Sequence, residues 1–562
     1  MQLSGNHTGG EKISPKEMEG GVFMTSDRGD AFLRNSGPKP ISQVTQDEIE
    51  TDVLVIGGGM AGIFAAIKAK EKGLDVTMTV KGAIGSSGMT PFANTFMVFD
   101  ETRGHQREEW IEKFRKSGEY MVNLDYLDMF LDDSKARWED LVSWGAIGVN
   151  EFGPVLRKQV LKSGVRTLER VMITDLLKQN GQIVGAIGFP LEEDKMIVIR
   201  AKATIMCAGP GGFKPNGYPI SSVTHDGDAM AYRVGVEIGG KEFVDFHFTN
   251  AEHPADSWFN WYTHHNGINR SETPLSGKMP VIDNPRQVHE GMIPIVFLLP
   301  PWLKEPPPGG FPNASLIGKE IIGNAGAGLG IHKSEGIWPA NEKCASKIPG
   351  LYAAGDGLCS MLCGAVYTGL GTSLSGSACQ GARAGQAAAE YASRAKKSVI
   401  VVDEFGRLKE GTFEPRSRQK GFTPAWVTQQ LQNVMMPYYV LLLKKQGRLE
   451  AALENIEFLR DHLVPKLIAR DPHELRLAHE TKNMLLNAEM KLRAGLFRTE
   501  TRGSHIREDH PVRKDTEWLA WVLCKEEDGK MKCVKEPIPV KWRPDLSLPM
   551  DQRYWYTLPG EV

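Results

Sequence analysis

Cysteine is sparse in this chain and shows no pattern. Its 562 residues contain seven cysteines, Cys207, Cys344, Cys359, Cys363, Cys379, Cys524 and Cys533, with no Cys-x-x-Cys pair among them. That spacing speaks against an iron–sulfur cluster or any metal site held by this chain alone. An odd count suits a reducing compartment better than a disulfide framework. Cys359 and Cys363, the nearest pair, stand at helical spacing and read as buried structural thiols. An excess of either charge is also missing: 67 Lys and Arg against 69 Asp and Glu leave a formal net charge of −2. Such a balance gives no footprint for nucleic acid or an anionic membrane. No long apolar run appears. Met292–Leu303 (MIPIVFLLPPWL) is too short to span a bilayer and is broken by prolines, so it reads as core or pocket lining and no direct membrane span is expected. The polar, glycine-containing N-terminal stretch has no apolar run behind a basic start, so a secretory leader is not expected and a cytoplasmic location is.

What is present begins at Thr51–Gly62 (TDVLVIGGGMAG), a short apolar strand running into glycines and then a helical pattern. This is the opening of a dinucleotide-binding βαβ unit. Gly57 permits the tight turn, Gly59 lets the backbone approach a pyrophosphate, and Gly62 lets the helix lie close to the strand. Val53–Ile56 make a buried parallel strand, Ile63–Lys72 a helix, and Leu74–Val80 the second strand. That second strand ends at Val80-Lys81, without the acidic residue that often holds ribose hydroxyls. Further along, Lys195–Gly209 is another strand with a glycine-rich end. Residues 250–334 lose the βα rhythm and are rich in aromatics and proline. Trp426–Lys445, Leu449–Leu463 and His473–Phe497 repeat apolar residues at three- and four-residue steps, as helices do.

Five segments together resemble the flavoprotein subunits of succinate dehydrogenase and fumarate reductase. The first is the glycine opening followed by Val80-Lys81. The second and third are Thr224–Gly235 (THDGDAMAYRVG) and Glu242–Thr249 (EFVDFHFT), which depart from the family at His225, where a glycine is usual, and at Phe248, where a proline is usual. The fourth is Lys347–Asp356 (KIPGLYAAGD). The fifth and most specific is Arg498–Pro511 (RTETRGSHIREDHP). The resemblance runs in order from about residue 50 to about 525, and the wider group includes adenylylsulfate reductase and aspartate oxidase.

The resemblance implies an α/β fold. A Rossmann-like FAD-binding domain would be built from residues 50–250 and 335–398, with a capping domain inserted at 251–334. A helical C-terminal domain would follow at 420–562, and residues 1–49 would form an N-terminal extension. It implies FAD as cofactor. Gly57, Gly59 and Gly62 would hold the pyrophosphate, and Lys81, Ser87 and Asp226 the adenosine or ribityl regions. Asp356, Ser373 and Leu374 would reach the ribityl chain and the isoalloxazine.

Respiratory members carry a covalent flavin bond on a histidine. The corresponding position here is Gly88, and no histidine occurs between Lys81 and His105, so non-covalent FAD is expected. For the substrate site, the family's two histidines correspond to His247 and His332. Its arginine proton donor has only a positional candidate, Arg286, or alternatively Arg270. Its second substrate arginine is replaced by Tyr367 or Thr368. Losing that planar fork removes the two parallel hydrogen bonds that hold a dicarboxylate, which makes fumarate and succinate poor candidates. The aromatic cluster Trp258, Trp261, Tyr262, His264 and His265 reads either as a pocket wall or as packed cap core. Arg502, His505 and Arg507 are expected to form a buried structural network.

The activity expected is two-electron, hydride-type transfer between flavin and a small organic or sulfur substrate. Single electrons would come from a separate iron–sulfur protein subunit, through which the chain could also lie at a membrane face. A self-contained oxidase of the aspartate oxidase type, or a non-catalytic FAD-containing electron-transfer or assembly subunit, are the alternatives.

Overall fold

The computed structural model describes residues 37–92, 96–146, 152–214, 220–248, 329–366, 371–396, 402–441 and 443–555, with 557, 558, 560 and 561. Most of the expected capping segment, including Arg270, Arg286 and the Trp258–His265 cluster, therefore lies outside the described residues, as do Tyr367 and Thr368.

The strand Thr45–Ile56 (β1) is exposed along its first half and wholly buried at Val53, Leu54 and Val55. It runs into the helix Met60–Lys70 (α1), and Val76–Val80 (β2) returns parallel to it in the register Val53↔Val76. Arg166–Glu169 (β3) pairs parallel with β2. Val171–Gln179 (β4), Gln182–Pro190 (β5) and Lys195–Met206 (β6) form an antiparallel meander whose last strand lies parallel to β1 along nearly its whole length. The resulting seven-stranded sheet has the order β3-β2-β1-β6-β5-β4, with Leu351–Ala353 (β10) pairing β6. The central parallel strands read as continuous apolar runs because both faces are covered.

Helix Leu124–Ser143 (α2) packs on the long helix Thr372–Arg394 (α4), which in turn lies against α1. Small residues allow that second contact. A Cβ on Gly381 would stand 2.2 Å from the Ala61 carbonyl oxygen, and one on Gly385 would stand 2.3 Å from that of Ala65. Between α2 and α4 in sequence comes the helix Asp226–Arg233 (α3), followed by Ile238–Gly239 (β7) and the antiparallel pair Asp245–Phe248 (β8) and Leu329–Lys333 (β9).

The later chain is helical, as its periodicity predicts, with adjusted limits: Pro424–Met435 (α5), Gln446–Phe458 (α6) and Pro472–Phe497 (α7). The apolar repeat predicts that the first of these reaches Lys445. It stops ahead of Pro437, which has no N–H to continue the ladder. Their facing apolar residues, among them Leu431, Met435, Ile456, Leu485 and Leu492, make a second core. Short parallel strands Leu443–Lys444 (β11) and Ile506–Arg507 (β12) bind this region to the signature segment. After α7 the chain leaves helix for a hairpin, Ala520–Glu527 (β13) and Lys530–Pro537 (β14), and β13 also pairs with β7. Cys359 and Cys363 are buried, but the first follows the bridge residue Leu358 in irregular chain and the second lies in a turn, so neither is on a helix.

Candidate active site

The turn from β1 into α1 is closed by backbone contacts. Gly57 has φ +121°, and a Cβ there would meet the Cys207 carbonyl oxygen at 2.0 Å. A Cβ on Gly62 would meet the Gly57 carbonyl oxygen at 1.9 Å. Gly59 is different. It is the N-cap of α1, and a Cβ there would meet only Thr90 Oγ1, at 3.0 Å. Two glycines thus hold the turn together, and the third keeps the helix N-terminus open to a phosphate group. Thr90 Oγ1 accepts the Met60 N–H at 2.9 Å and so caps the first turn from 30 residues away. Nothing in the local sequence marks it for that role.

At the end of β2, Lys81 Nζ donates to Asp226 Oδ2 at 2.6 Å, to Thr224 Oγ1 at 2.8 Å and to Glu480 Oε1 at 2.7 Å. The fold brings Lys81 and Asp226 together across 145 residues. It also adds Glu480 and Asn483 from α7, the latter donating to Asp226 Oδ1 at 2.8 Å. Sequence reading missed both, because α7 approaches this corner only in the folded chain. Burial alone would raise the Glu480 carboxyl, but Lys81, Lys214 and Arg476 hold it down at about 2. Burial alone would lower Lys81, and Asp226 and Glu480 reverse that, leaving it above the ordinary lysine value.

Ser87 Oγ donates to the Ala83 carbonyl at 2.9 Å, which folds the loop after β2 back on itself. The Gly88 N–H donates to Ser222 Oγ at 3.1 Å. Gly88 has φ +75° with open space where a Cβ would stand, a backbone state that a histidine adopts only with strain. The late strand β10 delivers Asp356 in the turn Gly355–Gly357, which is fixed by the Gly355 N–H donating to Gln380 Oε1 at 2.9 Å. Ser373 and Leu374 lie in the first turn of α4, behind the left-handed N-cap Gly371 at φ +89°. All these elements meet at the C-terminal edge of the parallel strands, where open α/β sheets bind their ligands.

His247 and His332 lie on β8 and β9, which are hydrogen-bonded neighbours in the register His247↔Gly330 and Asp245↔Lys333. Ser504 ties this strand pair to the signature loop. Its Oγ accepts the Val244 N–H at 3.1 Å and donates to the Ala365 carbonyl at 3.3 Å.

Behind β8 the signature residues are buried and bonded. Arg502 donates to Glu500, to Asp515 Oδ1 at 2.7 Å and to Tyr554. Arg507 donates to Asp509 and to the Gly495 carbonyl, and His505 Nε2 lies 3.1 Å from the Arg498 carbonyl. Arg498 binds Glu242 and Glu500 together. Beside them is a polar enclosure. Lys241 Nζ donates to Asp228 Oδ2 at 2.5 Å, and His225 Nδ1 lies 3.1 Å from the same oxygen. Lys444 Nζ donates to the Glu242 carbonyl at 3.0 Å. His225 Nε2, Asp228 Oδ1, Glu242 Oε2, Asn487 Oδ1 and Lys491 Nζ are buried without a hydrogen-bond partner. Five such atoms in one place mark a polar pocket rather than a dry core. Burial pulls Lys444 down to about 7 and His225 to about 3. His225 takes the αL conformation at φ +60° that a glycine holds without strain.

A glycine turn opening onto a helix N-terminus at the C-terminal edge of a parallel sheet is an arrangement suited to a dinucleotide such as FAD, and an FAD-dependent oxidoreductase is the class to which the fold points. Comparison narrows it: the FAD binding domain family matches residues 52–155 and 150–257, and the family described as fumarate reductase flavoprotein C-term matches residues 428–554. The chain belongs to the succinate dehydrogenase and fumarate reductase flavoprotein superfamily. It is 25% identical over 553 residues to a fumarate reductase (CoM/CoB) subunit of Methanothermobacter marburgensis, across 84% of this chain and 97% of that one. Among solved structures, the Mycobacterium smegmatis Sdh1 complex in the apo form superposes with TM-score 0.72 at 20% identity, over 91% of this chain and 98% of that one. Adenylylsulfate reductase from Archaeoglobus fulgidus does so with TM-score 0.68 at 20% identity, over 91% and 99%. At those identities the likeness establishes the fold alone. Among the described residues no helix is long and apolar enough to cross a membrane, and no group of three or more potential ligands could hold a metal ion.

Proposed function

We propose that this chain is the flavoprotein subunit of a reductase, moving two electrons as a hydride between non-covalently bound FAD and an activated carbon or sulfur centre of a small molecule. The pairing of β8 with β9 carries the reading. His247 and His332 stand on these neighbouring strands, the first continuing from the buried segment 242–244 and the second running into the buried segment 334–338. Bound FAD supplies the redox chemistry, and the chain supplies binding, orientation and protons. In this reading the two histidines orient and polarise the substrate, and Arg286, in the segment between their strands, donates the proton. Gly57, Gly59, Gly62, Lys81, Ser87, Asp226, Asp356, Ser373 and Leu374 hold the cofactor. Gly88, unable to form a bond to it, leaves a lower potential that favours reduction over oxidation.

Tyr367 or Thr368 stands where relatives carry an arginine fork, so fumarate and succinate are at best poor substrates. Because no cluster ligands are patterned in the chain, single electrons arrive from an iron–sulfur partner in the cytoplasm or at a membrane face. The relative from Methanothermobacter is itself one subunit of a larger enzyme by its name.

Purification from the native source tests this, with co-purification of an iron–sulfur protein as the expected result. Peroxide formation by the isolated chain, with no partner, would replace the reading with a self-contained oxidase. A flavin that no substrate reduces or reoxidises would reduce the chain to an FAD-containing scaffold. Once turnover is measurable, His247→Ala or His332→Ala lowers it roughly tenfold to a thousandfold at unchanged FAD content, the range for one preorganised electrostatic or acid–base group. The double variant loses less than the product of the two single losses.

A further inference from the structure

We infer that Cys524 and Cys533 form a reversible thiol–disulfide site in the C-terminal hairpin. The two face each other directly across β13 and β14, with their sulfur atoms 3.7 Å apart. The hairpin closes at Glu527↔Lys530 through Asp528 at φ +54° and Gly529 at φ +72°, two left-handed residues that make a type I′ turn. The closing pair of such a turn exchanges both backbone hydrogen bonds, and pairs alternate from there along the ladder. Three steps on, Cys524↔Cys533 falls on a non-hydrogen-bonded pair. Pro537 opposite Ala520 falls on another, where its missing N–H breaks no bond, which confirms the phase. At such positions Cα atoms approach to roughly 4.5 Å. Disulfides accept Cα separations of roughly 4.4–6.8 Å, so the bond closes with little backbone movement.

The two thiols differ in access. Cys524 is buried, its Sγ 3.8 Å from the Met490 carbonyl of α7, whereas Cys533 is half-buried and open to solvent. The other five cysteines are all buried. Cys533 is therefore the sulfur that a small oxidant meets first, with Cys524 placed to resolve it. Hydrogen peroxide, which reduced flavins release when they react with oxygen, is the oxidant. The Cys533 thiol gives a sulfenic acid and one water. Attack by Cys524 then forms the S–S bond and releases a second water, so two sulfur-derived electrons reduce one peroxide. β13 pairs with β7 and Cys524 rests on α7, so the bond forms where the helical region meets the strand leading to Lys241 and Glu242.

The test uses the purified, FAD-loaded full-length protein exposed to hydrogen peroxide, with thiols counted in denaturant and peptides mapped without reduction. Two of the seven thiols should disappear, with a cross-linked peptide joining the segments of Cys524 and Cys533 that is lost on adding a dithiol. Cys533→Ser should abolish that loss. Oxidation of Cys533 to sulfinic acid while Cys524 stays free would overturn the inference, as would prior loss of thiols elsewhere. The peptide map of the unaltered protein decides the matter even where a variant folds poorly.

Discussion

Three glycines in one turn do different work, and substitution separates them. A side chain at Gly57 collides with the Cys207 carbonyl and meets an unfavourable φ of +121°, so Gly57→Ala should cost soluble, folded protein. A side chain at Gly59 meets only the Thr90 hydroxyl, so Gly59→Val should leave the fold intact and remove FAD, because its methyls occupy the space a pyrophosphate needs. Far-ultraviolet circular dichroism and the flavin-to-protein absorbance ratio check both outcomes. A Gly59→Val protein with full flavin would move the cofactor site elsewhere.

Glu480 is also legible at this scale. Its carboxyl is held near 2, far below the ordinary glutamate value, by Lys81, Lys214 and Arg476 against the cost of burial. A group depressed in the folded state contributes stability above its unfolded value of about 4.3. That stability is lost as pH falls through the folded value, so the window lies between about 4.3 and 2. Glu480→Gln should destabilise the protein at neutral pH by about 3–5 kcal/mol, as expected when one partner of a buried ion cluster is removed. It should also flatten the pH dependence of denaturant unfolding across that window.

The helices α1 and α4 meet through glycine and alanine rather than through large apolar side chains. Gly381 and Gly385, one turn apart, let α4 approach the Ala61 and Ala65 carbonyls, and this seats the first turn of α4 near Asp356. A leucine at Gly385 cannot be absorbed, since the atom 2.3 Å away is backbone. Gly385→Leu should lower stability by more than the roughly 1–3 kcal/mol typical of overpacking, and should weaken flavin binding with it. A thermal melt monitored by flavin fluorescence reads both effects in one experiment. The limits of α5 make a related point. Periodicity carries the expected helix to Lys445, but Pro437 ends the ladder, so a local backbone rule overrides the apolar repeat.

In the proposed reading the molecule as a whole holds FAD without a covalent tether. Acid or heat denaturation should release all FAD into the supernatant, because Gly88 replaces the linking histidine; flavin left with the precipitated polypeptide would contradict this. The signature arginines show why the whole chain is needed for such a site. Arg498, Arg502 and Arg507 point neither to solvent nor into the cradle. They bind carboxylates, carbonyls and the Tyr554 hydroxyl, drawn from residues 119 to 554, fixing the helical region behind the strand that carries His247.

The sequence alone determined the βαβ opening, because apolar runs and glycine spacing are local consequences of backbone sterics and burial. It also determined the helical periodicity after residue 420 and the family of the signature segment. It named Lys81 and Asp226 for one region of the cofactor but could not show that they pair, nor that Glu480 and Asn483 join them. The tertiary structure decided those contacts, since four residues spread over some 400 positions meet only after α7 docks on α3. The same holds for Thr90 capping α1 and for Cys524 facing Cys533. Hydrogen bonds and ion pairs act over a few ångströms in space, and separation along the chain carries no record of that distance until the chain is folded.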